Sequence, residues 1–485
     1  MSDGNEQFTS RLGILLTAIG MAVGTGNIWR FPRVAAENGG GAFLIPWILF
    51  LFAWAIPLLL AEFALGKTTR KGPAGAVGAL VGEKLNWLGV FIGFVTCFIT
   101  FYYSVVTGWC IRYFVASFGT VFSGDNSLAY WERFTSDPIQ PVIFHAVAAF
   151  VGCFIIYKGV VRGIERTNLI LVPILFLLLV AAAIRAVTLP GAVKGLSYLF
   201  TPNWADLANY QVWLAALTQC AWSTGAGWGL ITTYAVYLRK TDTFGRTTFT
   251  TAFGDNTASL LAGIAVMCTV FAILPEDQAR TALGAGNEGL TFIWLPQLFG
   301  SMAGGRFFLP LFFLALSFAA ISSLIAQLEL VSRMAMDLGL PRSKAVPAAG
   351  ALAFLLGLPS AWSMAFFKNQ DWVWGIGLMV SGFFIALVVI RYGADRFRRE
   401  LINTEDEDFP IGRWFIWAIT ILIPIEFVAM ISWWFYQSAT VFDPEGWWRL
   451  ASESSVGTVV IQIAVLAIVL YLTNSLWVRR VTKSP

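Results

Sequence analysis

Twelve apolar stretches, most of them near or above the roughly 20 residues needed to cross the hydrocarbon of a bilayer, follow one another through this chain with short polar loops between them. They run from Leu12 to Ala36, Gly41 to Leu65, Leu85 to Phe114, Pro138 to Tyr157, Thr167 to Ala186 and Leu207 to Leu238, then Thr247 to Ile273, Phe307 to Asp337, Ala345 to Phe366, Trp372 to Tyr392, Arg413 to Tyr436, and Ser454 to Val478. Backbone polar groups in lipid must be satisfied within the protein, so a spanning segment is either a helix or a strand of a closed barrel. Barrel strands alternate apolar and polar residues over about ten positions. These runs do not alternate, and the expected fold is an all-α membrane protein of twelve transmembrane helices.

Composition agrees. Charged residues make up 12% of the 485 and hydrophobic ones 57%, against about 25% charged in soluble chains, too few charges to clothe an aqueous enzyme. The net charge of +4 is dispersed, and no basic run interleaved with aromatics marks a nucleic-acid surface. One histidine in the whole chain argues against a membrane enzyme built on clustered histidines and carboxylates. No phosphate-binding loop of the Walker type occurs, so no nucleotide is expected. Cys97, Cys110, Cys153, Cys220 and Cys268 lie in apolar stretches without paired spacing and read as core residues.

The first apolar run carries Asp3 and Glu6 beside Arg11 at its amino end and lacks a small-residue cleavage site, so it is expected to stay in the mature protein. With the amino terminus in the cytosol, 22 of the 32 lysines and arginines fall in loops on that side. The positive-inside rule then places both termini in the cytosol of a multi-pass protein of the cell inner membrane or plasma membrane. No separate soluble domain is evident: residues 1–485 read as one polytopic unit in the lipid bilayer, with no obligate protein partner. Its longest outer loops, Gly119 to Gln140 and Leu274 to Arg306, are lid-sized.

Two spans have broken middles. The first is interrupted at Gly24-Thr25-Gly26 and the sixth at Gly225-Ala226-Gly227-Trp228-Gly229. Glycine costs a helix interior about 1 kcal/mol relative to alanine, although small residues also let membrane helices pack closely. Corresponding breaks in spans 1 and 6 point to two inverted five-helix repeats, about residues 12–187 and 207–392, followed by two further helices at about 413–478. Freed carbonyls at such breaks can hold a cation, and the amide end of a half-helix can receive a carboxylate.

The run Gly24-Thr25-Gly26-Asn27-Ile28-Trp29-Arg30-Phe31-Pro32, followed by Glu37-Asn38-Gly39-Gly40-Gly41-Ala42-Phe43, strongly resembles the signature of the neurotransmitter:sodium symporters, whose bacterial members import amino acids. The resemblance extends from span 1 through at least span 10. It implies a first sodium site from Ala22, Asn27, Ser223 and Asp255, the last an acid where the family has asparagine. It implies a second from Gly20, Val23, Ala319, Ser322 and Ser323. Oxygen donors suit a hard cation.

For the substrate, the resemblance implies contacts from Ala22, Gly24, Thr25, Gly26, Ile99, Tyr103, Trp222, Ser223, Gly225, Trp228, Ser323 and Gln327, with Tyr103 and Trp222 forming an aromatic lid. Relatives that carry amines hold an aspartate in the place of Gly24; its absence leaves room for a substrate carboxylate and favours a neutral amino acid.

In the chloride site of relatives that need that ion, Gln219, Ser223 and Ser259 match, while Trp47 stands in the tyrosine place and Asp255 in the asparagine place. A fixed carboxylate there would supply the charge chloride otherwise brings, so sodium coupling without chloride is expected. The alternative, that Asp255 binds a proton for part of the cycle, stays open. Arg30 and Asp371 match the outer gate. Asp337 matches the inner gate acid, but Asn5 and Phe8 replace its usual arginine and the neighbouring tryptophan. Glu62, Glu329 and Glu426 read as paired structural acids, and His145 as a packed residue. The expected activity is alternating-access import of a neutral amino acid driven by sodium; a transporter-like sensor that binds without translocating is the alternative.

Overall fold

The computed structural model describes residues 6–120, 122, 126–407 and 409–481. Among the described residues there are helices and no β-strands. Among these described residues nine helices are long and apolar enough to cross a membrane, or up to eleven if each of two bent pairs is one span. The principal helices are α1 (Arg11–Ala22), α2 (Gly26–Glu37), α3 (Gly41–Thr69), α4 (Glu83–Ala116), α5 (Gln140–Tyr157), α6 (Val160–Val187), α7 (Tyr210–Ser223), α8 (Leu230–Ala235), α9 (Gly245–Ile273), α10 (Gly305–Asp337), α11 (Arg342–Trp362), α12 (Met364–Tyr392), α13 (Trp414–Phe442), α14 (Val456–Leu472) and α15 (Asn474–Val481).

Burial sorts them into an inner and an outer set. In the most apolar stretch of α4, 78% of residues are buried, and in α10 and α12 72%, against 28% in α6 and 33% in α5 and α13. The outer helices present Phe150, Leu177, Ile184 and Val428 outward, as helices facing lipid must, since lipid tails are as apolar as these side chains. At the centre α4 packs on α10, α5 and α12, while α1 lies among α6, α9 and α10. Both ends of the described chain share one face: Lys71 Nζ donates to the Val481 carbonyl, and Phe8 N–H to that of Tyr237.

Side-chain caps set several boundaries. Ser10 accepts from Gly13 N–H at the start of α1, and Asn209 from Gln211 N–H at α7. Ser363, with φ −136° and ψ 114°, breaks the chain between α11 and α12 and accepts from Phe366 N–H. The sequence places that boundary between Phe366 and Trp372; the cap pulls it upstream, so Asp371 lies inside α12. The two long outer loops carry helices of their own, at Asn126–Ser136, Glu276–Leu283 and Leu295–Ser301. Ahead of α5, amide hydrogens of Ile139 and Gln140 on Asp137 hold its carboxyl below the usual range. The last expected span bends by 58° between α14 and α15. The cysteines are free, four of them buried and Cys153 half-buried.

Candidate functional site

The first break falls at Val23 and Gly24, just after α1, and the chain bends by 50° into α2. The sequence centres this break one residue later; Gly26 already belongs to α2. Glycine at 24 is required by space, because a Cβ there would stand 2.8 Å from Ser323 Oγ and 3.0 Å from the Tyr103 hydroxyl. The second break spans residues 224–229 between α7 and α8. Gly225, Gly227 and Gly229 all have positive φ, from 70° to 87°, which side-chain-bearing residues rarely adopt.

The unwound stretch in the second break is tied down from outside. Glu62 of α3 accepts from Gly227 N–H at 2.7 Å, from Thr232 N–H at 3.1 Å and from the Thr232 hydroxyl at 3.2 Å. Thr96 donates to the Trp228 carbonyl at 2.6 Å. Glu62 was expected to be a paired acid; its partners are backbone and hydroxyl donors freed by the break.

The two breaks abut. A Cβ on Gly225 would meet Met21 Sδ at 2.5 Å, and Gln219 Nε2 donates to the Gly26 carbonyl at 3.4 Å. Between them Asn27 is anchored at both ends: its carbonyl oxygen accepts from Gly24 N–H, and Nδ2 donates to Asp255 Oδ1 at 2.6 Å and Ser259 Oγ at 2.9 Å. Ser223 Oγ, Asp255 Oδ2 and Gln219 Oε1 are buried without hydrogen-bond partners, Ser223 and Asp255 lying close to one another. Buried polar oxygens are ordinarily satisfied, so an orphaned set of oxygen acceptors beside Asn27 fits a hard cation.

On the other side of α1, Ser323 donates to the carbonyls of Met21 and Val23 at 3.2 and 3.4 Å, and Ser322 to that of Ala319 at 3.0 Å. Val23 and Ser323 are thus brought together, as are Ala319 and Ser322. Gly20 faces α6, where a Cβ would meet Asn168 Oδ1 at 2.3 Å.

A cavity opens between the breaks. Of the twelve substrate positions read from the sequence, eleven line it; Ile99 is fully buried and does not. Tyr103 accepts from Thr25 N–H at 3.2 Å, leaving its own proton free to donate. Trp222 and Trp228 meet edge to face with centroids 5.7 Å apart. Tyr102, Val106, Asn287 and Phe367 also line the cavity. The sequence offered no signal for them, since each arrives from an apolar helix or a loop with no motif of its own.

Arg30 and Asp371 both border the cavity but form no ion pair. The Arg30 guanidinium instead stacks on Trp222 at 5.0 Å, and Asp371 lies near Tyr102. On the face that carries both chain ends, Asp337 pairs with Arg333 at 2.9 Å, one turn away on its own helix; Asn5 lies outside the described residues. Glu329, fully buried, pairs with Arg342 at 2.7 Å and accepts from the Tyr237 hydroxyl at 2.6 Å. Glu426 is buried, with Oε2 lacking a partner. His145 is fully buried between Ser104 Oγ and the Phe354 carbonyl, as a packed residue should be.

The same face has a clasp that sequence reasoning missed. Buried Glu165 accepts from the N–H and hydroxyl of Thr9 at 2.9 and 2.8 Å and from those of Ser10 at 3.2 and 3.1 Å. From the other side Arg239 donates to the carbonyls of Phe8 and Thr9 at 3.2 and 2.5 Å. Phe8, 2% exposed, packs edge to face on Tyr234 and Tyr237. Gly13 makes this possible, as a Cβ there would sit 1.9 Å from Glu165 Oε1. Glu165→Ala is expected to speed amide hydrogen exchange at Thr9 and Ser10 at least tenfold while leaving α4 protected, because only the local tether is lost. Unchanged exchange at those two amides would show that the carboxylate does not hold them.

Comparison with known proteins is consistent along the chain. The family model described as the sodium:neurotransmitter symporter family matches residues 5–136 and 139–478. An uncharacterised sodium-dependent transporter of Methanocaldococcus jannaschii is 32% identical over 453 residues, covering 88% of this chain and 89% of that protein. The sodium-dependent neutral amino acid transporter B(0)AT3 of Rattus norvegicus is 34% identical over 56% of this chain and 48% of its own length. Among solved structures, MhsT in complex with L-phenylalanine superposes with a TM-score of 0.78 at 31% identity, covering 88% of this chain and 99% of that one. With that motif, these broken helices and a match over nearly its whole length, the chain belongs to the sodium:neurotransmitter symporter family, a family of multi-pass sodium-dependent transporters.

Proposed function

We propose that this protein is a symporter in which sodium, moving down its gradient, drives uptake of a neutral amino acid by alternating access, without a chloride requirement. The observation that carries the reading is the pair of abutting helix breaks around one cavity, with buried acceptor oxygens left over beside Asn27. The architecture in this reading is twelve spans, two inverted five-helix repeats and two closing helices, with both termini cytosolic.

The first sodium ion is held by the Ala22 carbonyl, Asn27, Ser223 and Asp255, and the second by the carbonyls of Gly20, Val23 and Ala319 with the hydroxyls of Ser322 and Ser323. The substrate carboxylate lies against the amides of Thr25 and Gly26 and the Tyr103 hydroxyl, where the start of α2 presents positive partial charge. Space supports this: nothing lies within 4 Å of the Cβ position on Gly26. Arg30 and Asp371 close the outer entrance, and Asp337 with Arg333 belongs to the inner one. A charge at the bilayer centre costs about 2.5–3.5 kcal/mol on insertion scales. Sodium beside Asp255 offsets that cost for both partners, which couples the ion to the site and removes the need for a mobile anion.

Uptake into proteoliposomes of purified protein tests this. Replacing external sodium by N-methylglucamine is expected to abolish uptake, and replacing chloride by gluconate to leave it unchanged. Collapse in gluconate would refute chloride independence, and sodium-dependent binding without counterflow would favour a sensor.

A further inference from the structure

We infer that Gln327 makes this carrier select aromatic amino acids whose ring carries an N–H or O–H donor, tyrosine and tryptophan, over phenylalanine. The inference rests on the symport reading and deepens it. Gln327 lies on α10 four residues after Ser323, hence on the same helix face and about 6 Å further along the axis, at 1.5 Å per residue. It lines the cavity, is 1% exposed, and its Oε1 has no hydrogen-bond partner. Ser223, beside Asp255, belongs to the cation side of the cavity, and three further polar groups on the wall have partners within the protein. Ser323 donates to the first break, Tyr103 meets Thr25, and Asn287 accepts from Arg33 Nε at 2.8 Å. The amide oxygen of Gln327 is an acceptor on α10 with no partner in the protein.

The remaining surface there is aromatic. Trp222 and Trp228 meet edge to face, a geometry that takes a flat ring in offset or T-shaped contact. A ligand whose ring packs on those faces and carries a donor would satisfy the Gln327 amide oxygen, whereas leucine and phenylalanine bring no donor and leave it unsatisfied. A site built to hydrogen-bond its ligand discriminates against the analogue lacking that group far more strongly than an apolar pocket discriminates by size.

The test uses the full-length protein in sodium-containing proteoliposomes, with dissociation constants for L-tyrosine, L-tryptophan, L-phenylalanine, L-leucine and 1-methyl-L-tryptophan. Tyrosine is expected to bind at least tenfold tighter than phenylalanine, and tryptophan at least tenfold tighter than its N-methylated form. Gln327→Leu is expected to erase both ratios. The two ratios are measured on the unaltered protein, so they decide the matter even where the variant does not fold. Equal affinities within each pair, with binding still sodium-dependent, would overturn the inference and leave the symport reading standing. Failure of all five to bind in sodium would overturn both.

Discussion

Asp255→Ala is expected to weaken sodium affinity on the order of 100-fold or more and to stop sodium-driven uptake. Asp255 is fully buried and reaches Asn27 Nδ2 at 2.6 Å, and its second oxygen has no partner. Removing one member of a buried charged pair costs about 3–5 kcal/mol because the other is left uncompensated, and about 1.4 kcal/mol is tenfold in affinity. Asp255→Asn separates charge from shape. It keeps the contact to Asn27 but removes the fixed negative charge, so uptake is expected to fall in gluconate and recover in chloride, with Gln219 and Ser259 left to receive the anion. Uptake against pH decides the proton question: a carboxylate that is protonated for part of the cycle gives the wild type a pH dependence that Asp255→Asn lacks. Sodium affinity unchanged in Asp255→Ala would exclude this residue from the cation site.

The second large effect is on stability. Glu62→Ala orphans the amide hydrogens of Gly227 and Thr232, each at a cost of about 1–3 kcal/mol when buried. A fall of several degrees in melting temperature is expected, read by size-exclusion chromatography with tryptophan fluorescence after heating in detergent. Substrate affinity should fall with it, since Gly225 and Trp228 lie in the stretch that Glu62 holds. Glu62→Gln, which keeps an acceptor, should lose less than half as much. Equal melting temperatures for Glu62→Ala and wild type would show that the break is held by its glycines alone.

Much of this site was legible in the letters because the chemistry is local to short motifs. Gly24 to Gly26 and Gly225 to Gly229 announce a helix break at the depth where a helix should run, and the positive φ of three glycines in the second stretch agrees. What could not be read is who meets whom. The resemblance offers Asp337 no basic partner near the amino terminus, where Asn5 stands, yet Arg333, four residues back on the same helix face, pairs with it; an i, i+4 pair was there to be counted. Glu62 looked like half of an ion pair, and its partners proved to be backbone N–H groups, which carry no letter of their own. Ile99 carries a motif position and is fully buried without lining the cavity, whereas Phe367 and Asn287 reach it from segments with no local pattern. The limit at α12 was misplaced because hydropathy marks where apolar residues begin, while Ser363 decides where hydrogen bonding begins.

The clasp formed by Glu165 and Arg239 grips mostly peptide groups: amides of Thr9 and Ser10, carbonyls of Phe8 and Thr9. Such a grip is indifferent to many changes of letter and sensitive to register. Over generations the identity at position 9 is constrained through its hydroxyl alone, whereas gaining or losing one residue between Glu6 and Ser10 slides every main-chain group past its mate, so length, more than composition, is what evolution must hold constant there.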